Sequence, residues 1–249
     1  MTRLAIAEAF VADAREAHSQ DALFAALAHC CEQMGIDFFA LTHHVDFGRD
    51  PGCAIRLHNY PSDWQEWFDE RGLGRSDPIH RASHRASVGF AWSAVPAIIK
   101  LTPGDKGVLE AACRFGIGDG FTVPAHVPGE VQGSCSFAVS PGERFPEQYH
   151  HVAQLVGGFA FEAARRLSRA QDFELSSLPI LTDRQRDCVL WVARGKTDWE
   201  IAQILGVSHE TVIQHLKQAR ERYGAPKRAL LAVRALFDGL ISFSDVFRR

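Results

Sequence analysis

The sequence is short of the features that mark a secreted, membrane-spanning or metal-dependent protein. Its six cysteines, Cys30, Cys31, Cys53, Cys113, Cys135 and Cys188, are scattered and form no C-x-x-C pair. A disulfide framework and a zinc site are therefore not expected, and reduced, mostly buried thiols are. The His43-His44 and His150-His151 pairs do not make a metal site either, since neighbours on a strand face opposite ways and no acidic residue sits at ligand spacing. No signal peptide, lipidation motif or apolar run of membrane-spanning length is present, so a soluble, cytoplasmic protein without membrane partners is expected. There is no G-x-S-x-G elbow, no H-x-H and no ordered Ser/His/Asp set to mark a hydrolase. Alternating βα units with acidic strand ends, the signature of a phosphorylated receiver, are also missing from the N-terminal part. No internal repeat or low-complexity tract is found.

What is present falls into two parts, as 249 residues allow. Residues 181–241 read as four helices built about a helix-turn-helix. Thr182 and Gln185 have capping-box spacing and open the first, with Val189, Val192 and Ala193 inward and Gly195 at its C-terminal end. Thr197 and Glu200 repeat the box for a second helix carrying Ile201, Ile204 and Leu205. Gly206 and Val207 make a tight turn, and Ser208 caps a third helix with Val212, Leu216 and Ala219 inward. Gly224 ends it, and Pro226 sets the first turn of a fourth with Leu230, Val233, Leu236 and Phe237. His209, Glu210, Ile213, Gln214, Lys217 and Arg220 are left on the outer face of the third helix. With Lys196 they form the candidate DNA-facing set, in which amides and cations read base edges and Ile213 packs on a thymine methyl.

Short helical bundles of this kind also occur without nucleic acid, so charge is the second signal. Residues 181–249 hold 12 Lys/Arg against 8 Asp/Glu, while the remainder holds 15 against 22. A basic module on an acidic chain suits a phosphate-facing role. On Leu181, Thr182 and Arg184, the stretch from Gly195 to Ala202, Thr211-Val212, His215 and Gly239-Leu240-Ile241, this part resembles the DNA-binding domain of LuxR-type transcription factors.

In the N-terminal part, residues 3–17 and 20–34 have helical apolar stripes, Leu4, Ala7, Phe10 and Val11, then Leu23, Leu27, Cys30 and Met34. Residues 37–45 and 53–58 read as strands joined by the turn-rich FGRDPG, a hairpin. Helices are expected from Tyr60-Pro61 to about 71, from Asp77-Pro78 to about 85 and over 103–115. Strands are expected at 120–126 and 132–139. A long helix follows Pro146 to about 171, with Ala153, Val156, Phe159, Phe161 and Ala164 on its apolar side. The predicted architecture is an α+β N-terminal sandwich, an antiparallel sheet between helix layers, with an all-α four-helix helix-turn-helix C-terminal domain. The expected domains are residues 1–171 and 181–249, with 172–180 as linker.

Tyr60, Trp64 and Phe68 recur every four residues on one face, with Asp77 and Trp92 just beyond. Two readings are open from the pattern. An aromatic-packed helix with Asp77 merely capping at Asp-Pro is the plainer one. A pocket is the other, because a carboxylate beside an indole and a phenol needs polar partners if buried. Tyr60, Pro61 and Trp64, Asp77-Pro78, Trp92 and the segment from Gly120 to Pro124 resemble the acyl-homoserine-lactone-binding domain of quorum-sensing LuxR-type receptors.

That resemblance implies that Trp64 donates to the lactone carbonyl, Asp77 accepts from the ligand amide and Tyr60 bonds the acyl carbonyl. Trp92 would wall the lactone and Ser136 add a hydroxyl. A neutral ligand with one amide donor and two carbonyls needs such a set. It also implies a homodimer on a pseudo-palindromic site in double-stranded DNA, RNA polymerase as a further partner, and no cofactor beyond the signal. Dimerisation is expected through the helices 147–171 and 228–240. Three residues depart from the family pattern. Phe68 replaces a tyrosine, which favours a bulkier or more apolar acyl group. Gln185 replaces a glutamate, at roughly 0.3–1 kcal/mol of helix-dipole energy. Val189 replaces a leucine, at a cost on the order of 1 kcal/mol. A regulator that senses another small molecule or serves only as a dimerisation partner remains open. So does, more remotely, a lactone hydrolase using Asp77 with a histidine.

Overall fold

The computed structural model describes residues 2–47, 54–128, 130–171 and 179–247, with the backbone alone at 169–171. Cys53, most of the expected FGRDPG turn and nearly all of the expected linker lie outside these residues. The chain divides into two compact units, with the main division at 173–174.

The first unit opens with α1 (Arg3–Glu16) and α2 (Gln20–Met34), capped by the hydroxyls of Thr2 and Ser19. After them come β1 (Phe38–His43), β2 (Arg56–His58), α3 (Ser62–Glu70) and α4 (Pro78–Ser83). Next are β3 (Phe90–Ala91), α5 (Val95–Ile98), α6 (Pro103–Arg114), β4 (Gly120–Ala125), β5 (Gly133–Ala138) and α7 (His150–Gln171). The five strands form one antiparallel sheet in the order β2-β1-β5-β4-β3.

Register sorts the side chains. Ala40 stands opposite both His58 and Ser136, and Ser136 opposite Thr122. Residues paired across strands share a face and alternate residues change face. One face therefore carries Ala40, Thr42, Arg56, His58, Ser134, Ser136 and Thr122. The other carries Phe39, Leu41, Cys135, Phe137, Phe121 and Val123, which join α1, α2 and α7 in a single core. Phe39 and Phe137 have no exposed surface, and each contributes roughly 1.5–3 kcal/mol by burial. The smaller, more polar face is covered by α3, α4 and α6, so the sheet lies between helix layers. An Arg81–Asp105 pair at 2.7 Å ties α4 to α6.

The second unit is α8 (Asp183–Ala193), α9 (Asp198–Leu205), α10 (His209–Arg222), α11 (Arg228–Phe237) and the short α12 (Phe243–Phe247). Both capping boxes form, Thr182 with Gln185 and Thr197 with Glu200. Gly206 takes φ +66° at the turn between α9 and α10, a conformation that a side chain disfavours. Gln185 is buried and its Nε2 donates to Gln218 Oε1 at 2.9 Å. Its amide thus makes a bond that a glutamate carboxylate could not donate, so charge lost at the helix start is partly offset.

Several apolar residues expected inward point outward instead. Leu4 is 58% exposed, Phe159 39% and Ile204 43%. On α7 the inward ridge is Ala153, Val156, Ala160, Ala163, Ala164 and Leu167, and Phe159 sits one helical step off it, in line with Leu155. Pro226 precedes α11 by two residues rather than opening it. β3, α5 and α12 were not foreseen. Each is too short to leave a periodic signal, and β3 exists because Phe90 and Ala91 pair with Thr122 and Phe121.

Candidate functional site

A cavity of about 90 Å³ lies on the polar face of the sheet, beneath α3, α4 and α6. Tyr60, Trp64, Phe68, Asp77, Trp92 and Ser136 all line it. The residues expected from the sequence, spread over 60–136, are brought together by strand register and by the packing of α3 and α4.

Each wall has a local cause. Tyr60 precedes α3, and Trp64 and Phe68 follow one and two turns on. The Trp64 ring stacks on Trp67 at 5.3 Å and tilts against Phe68 at 5.6 Å. Asp77 is 6% exposed, and its Oδ1 accepts from the backbone N–H groups of Ile79 and His80 at 2.8 and 2.9 Å. The plainer reading of this residue is thus half of the answer. Asp77 does cap α4, yet both capping bonds fall on Oδ1, and the carboxylate also lines the cavity. Trp92 donates its Nε1–H to Thr122 Oγ1 at 2.8 Å, and Thr122 Oγ1 is 2.8 Å from Ser136 Oγ. Its indole lies over Gly120, where an added Cβ would stand 2.7 Å from the ring and 2.6 Å from the Phe137 carbonyl oxygen. Only glycine lets the indole sit that close to the sheet.

Electrostatics keep the cavity neutral apart from its carboxylate and one guanidinium. Burial, and after it the Asp77 carboxylate, pushes the Tyr60 phenol well above its usual range, so it remains a donor. Behind α4, His44 stacks on His80 at 3.9 Å, and its Nδ1 is 2.7 Å from His84 Nε2. Burial and then the facing His80 and His84 hold His44 well below the usual imidazole range. His80 donates Nδ1–H to the Gly74 carbonyl oxygen at 2.8 Å and faces the cavity as well. His43 lies on the opposite sheet face against Phe161.

Sequence reasoning missed Phe47, Arg56, His58, Gln65 and His80 in this lining. The available signal was alternation: Arg56 and His58 stand four and two residues before Tyr60 on one strand face.

The candidate DNA-facing residues lie on the second unit. His209, Glu210, Ile213, Gln214, Lys217 and Arg220 are all exposed along α10, and Val212, Leu216 and Ala219 are buried. Lys196 is half-exposed and its Nζ pairs with Glu200 Oε1 at 3.0 Å. The backbone N–H of Thr197, then Lys196, pulls the Glu200 carboxyl down to about 2. Lys196 is therefore partly neutralised within its own unit. Trp199, which was not foreseen, is 64% exposed at the start of α9.

The Autoinducer binding domain family matches residues 19–167, and the family of bacterial regulatory proteins of the luxR type matches residues 179–235. The chain belongs to the LuxR family of quorum-sensing transcriptional regulators. VanR of Vibrio anguillarum, a transcriptional activator, is 31% identical over 74% of this chain and 76% of its own length. AhyR of Aeromonas hydrophila, also a transcriptional activator, is 25% identical over 84% of this chain and 81% of its own. The chain spans between three fifths and four fifths of the length of the first curated relatives it matches. Among solved structures, SdiA in complex with octanoyl-rac-glycerol superposes with a TM-score of 0.67 at 22% identity, over 97% of this chain and 98% of that one. The family's members are regulators, which sets aside the hydrolase reading. Among the described residues no helix is long and apolar enough to cross a membrane.

Proposed function

We propose that this regulator binds an acyl-homoserine lactone in the cavity and a pseudo-palindromic promoter site as a homodimer. In this reading Asp77 accepts the ligand amide N–H, Trp64 donates to the lactone carbonyl and Tyr60 to the acyl carbonyl. Trp92 closes over the lactone and Ser136 adds a hydroxyl, while Phe68 supplies apolar wall. The observation that carries the reading is the buried Asp77 carboxylate, facing a cavity with both its capping bonds on one oxygen. A carboxylate oxygen not used by the cap, set among mostly apolar and uncharged groups, suits a ligand with one N–H to give.

Residues 1–171 act as the signal-binding and dimerisation domain, 172–180 as linker and 181–249 as the DNA-binding domain. The ligand completes the first domain's interior and stabilises the folded dimer by mass action. Dimerisation uses α7, where Leu155 and Phe159 are exposed beside Leu4, and α11, where Val233 and Phe237 are exposed. Two copies of α10 then enter successive major grooves of double-stranded DNA about one helical turn apart, using His209, Glu210, Ile213, Gln214, Lys217 and Arg220, with Lys196 at the edge. RNA polymerase is the partner beyond the DNA, and the cytoplasm the site of action.

The test is the mass of whatever small molecule co-purifies from cells supplied with acyl-homoserine lactones, paired with operator binding by the loaded protein. An intact lactone is expected. A second reading is favoured by one observation: the structurally similar SdiA holds octanoyl-rac-glycerol, an acyl compound without a lactone. Recovery of a non-lactone acyl compound in place of the lactone would decide for that reading.

A further inference from the structure

The cavity has a second polar end that none of the head-group roles uses. Arg56 and His58 share the cavity face of β2, and Gln65 on α3 lies against them. His58 stands two strands from Ser136 across the sheet, with Ala40 between them. At the usual strand spacing that separation is roughly 10 Å. The two ends of the cavity are thus distinct, with Ser136 and Trp92 at one and Arg56, His58 and Phe47 at the other. Arg56 is fixed in place: its Nη2 pairs with Asp69 Oδ2 at 2.9 Å, and its guanidinium lies 4.6 Å from the centre of the Phe47 ring.

His58 is the informative residue. Its Nδ1 is buried without a hydrogen-bond partner, while the Gln65 side chain is hydrogen-bonded to the ring. Burial, followed by the neighbouring Arg56, lowers the affinity of His58 for a second proton, so the ring is neutral near pH 7. Since Nδ1 has no partner, the Gln65 bond falls on Nε2, and the ring proton is assigned to that nitrogen with the Gln65 oxygen accepting it. Nδ1 is then the nitrogen with the lone pair, aimed at nothing in the protein. A buried acceptor of this kind is normally satisfied, by protein, water or ligand.

We propose that the signal carries a hydroxyl group far along its acyl part, which donates to His58 Nδ1 and accepts from the Arg56 guanidinium. A hydroxyl is the group that fits, because it both donates and accepts. A plain alkyl chain does neither, and a ketone only accepts. Phe68 leaves the middle of the cavity apolar, and the far end restores polarity. The inference deepens the lactone reading and rests on it, since that reading places the amide and lactone at the Asp77 end.

The experiment is calorimetry on the whole 249-residue chain with octanoyl-homoserine lactone and with analogues bearing a hydroxyl on each of the last carbons of the same acyl chain. At least one hydroxylated analogue should bind roughly tenfold more tightly than the plain one, as expected of one satisfied buried hydrogen bond. In His58→Phe the ratio between the affinities for the hydroxylated and plain lactones should fall to about one. Should His58→Phe not fold, His58→Ala removes the ring without added bulk and reads the same loss. Equal or weaker binding of every hydroxylated analogue by the parent overturns the inference and leaves the lactone reading standing. A preference that survives loss of the ring also overturns it. Failure of the parent to bind any lactone overturns the lactone reading, and this inference with it.

Discussion

Asp77 combines two tasks that substitution can separate. Its Oδ1 caps α4 through the Ile79 and His80 amides, and the carboxylate lines the cavity. Asp77→Asn keeps an acceptor oxygen for the cap, whereas Asp77→Ala removes it. Loss of an N-cap costs about 1 kcal/mol, which in a unit of this size lowers Tm by roughly 2–4 °C. On the ligand side, a hydrogen bond to a charged group is worth about 1.5–3 kcal/mol and one to a neutral group about 0.5–1.5. Asp77→Asn should therefore leave ligand-free thermal stability near the parent's, but with its one oxygen kept on the cap it turns an NH2 donor toward the ligand N–H, so lactone affinity should fall between about tenfold and a hundredfold. Asp77→Ala should lower both, with affinity falling between about tenfold and a hundredfold. Thermal unfolding without ligand and calorimetry with octanoyl-homoserine lactone read the two effects on the full chain. The reasoning is refuted if Asp77→Asn binds as tightly as the parent, or if it destabilises the ligand-free protein as much as Asp77→Ala.

Three further outcomes follow from the geometry. His44 and His84 have lowered affinity for protons in the fold, so the unfolded chain binds more protons below its ordinary histidine range. Stability is then fully present above about pH 6.5 and falls as pH drops below it, by up to about 1.4 kcal/mol per pH unit for the His44 proton; urea unfolding that is flat between pH 5 and 7 would contradict this. Gly120→Ala places a Cβ against Trp92 and the Phe137 carbonyl, and should displace the indole. Loss of lactone affinity exceeding the loss of ligand-free stability is the expected signature, and unchanged Trp fluorescence with unchanged affinity would exclude it. Lys217→Ala should weaken operator binding evenly across sequences and reduce the log-log salt slope by about 1; an unaltered slope would remove Lys217 from the phosphate contacts.

The DNA-binding unit was largely legible because its signals are local. Both capping boxes, the Gly206 turn and the inward set of Val212, Leu216 and Ala219 lie within a few residues of the helices they shape. Strand alternation likewise revealed four of the five strands. Apolar residues near a helix flank were less readable. Leu4, Phe159 and Ile204 fit a helical stripe by spacing, yet which of two adjacent ridges faces the core is decided by the neighbouring helix or sheet.

By itself, the sequence determined the two-part organisation, the starts and stops of the longer helices, the outward face of α10 and the candidate set Tyr60, Trp64, Phe68, Asp77, Trp92 and Ser136. These rest on periodicity, capping chemistry and charge, which are written in short windows. Tertiary structure alone decided that Tyr60, Asp77, Trp92 and Ser136 meet in one cavity, that Gly120 makes room for the Trp92 indole, and that His44 is wedged against His80 and His84. It also placed His58 and Arg56 at the far end of that cavity. The reason is physical: strand pairing and helix packing join residues tens of positions apart, and no local pattern carries that distance.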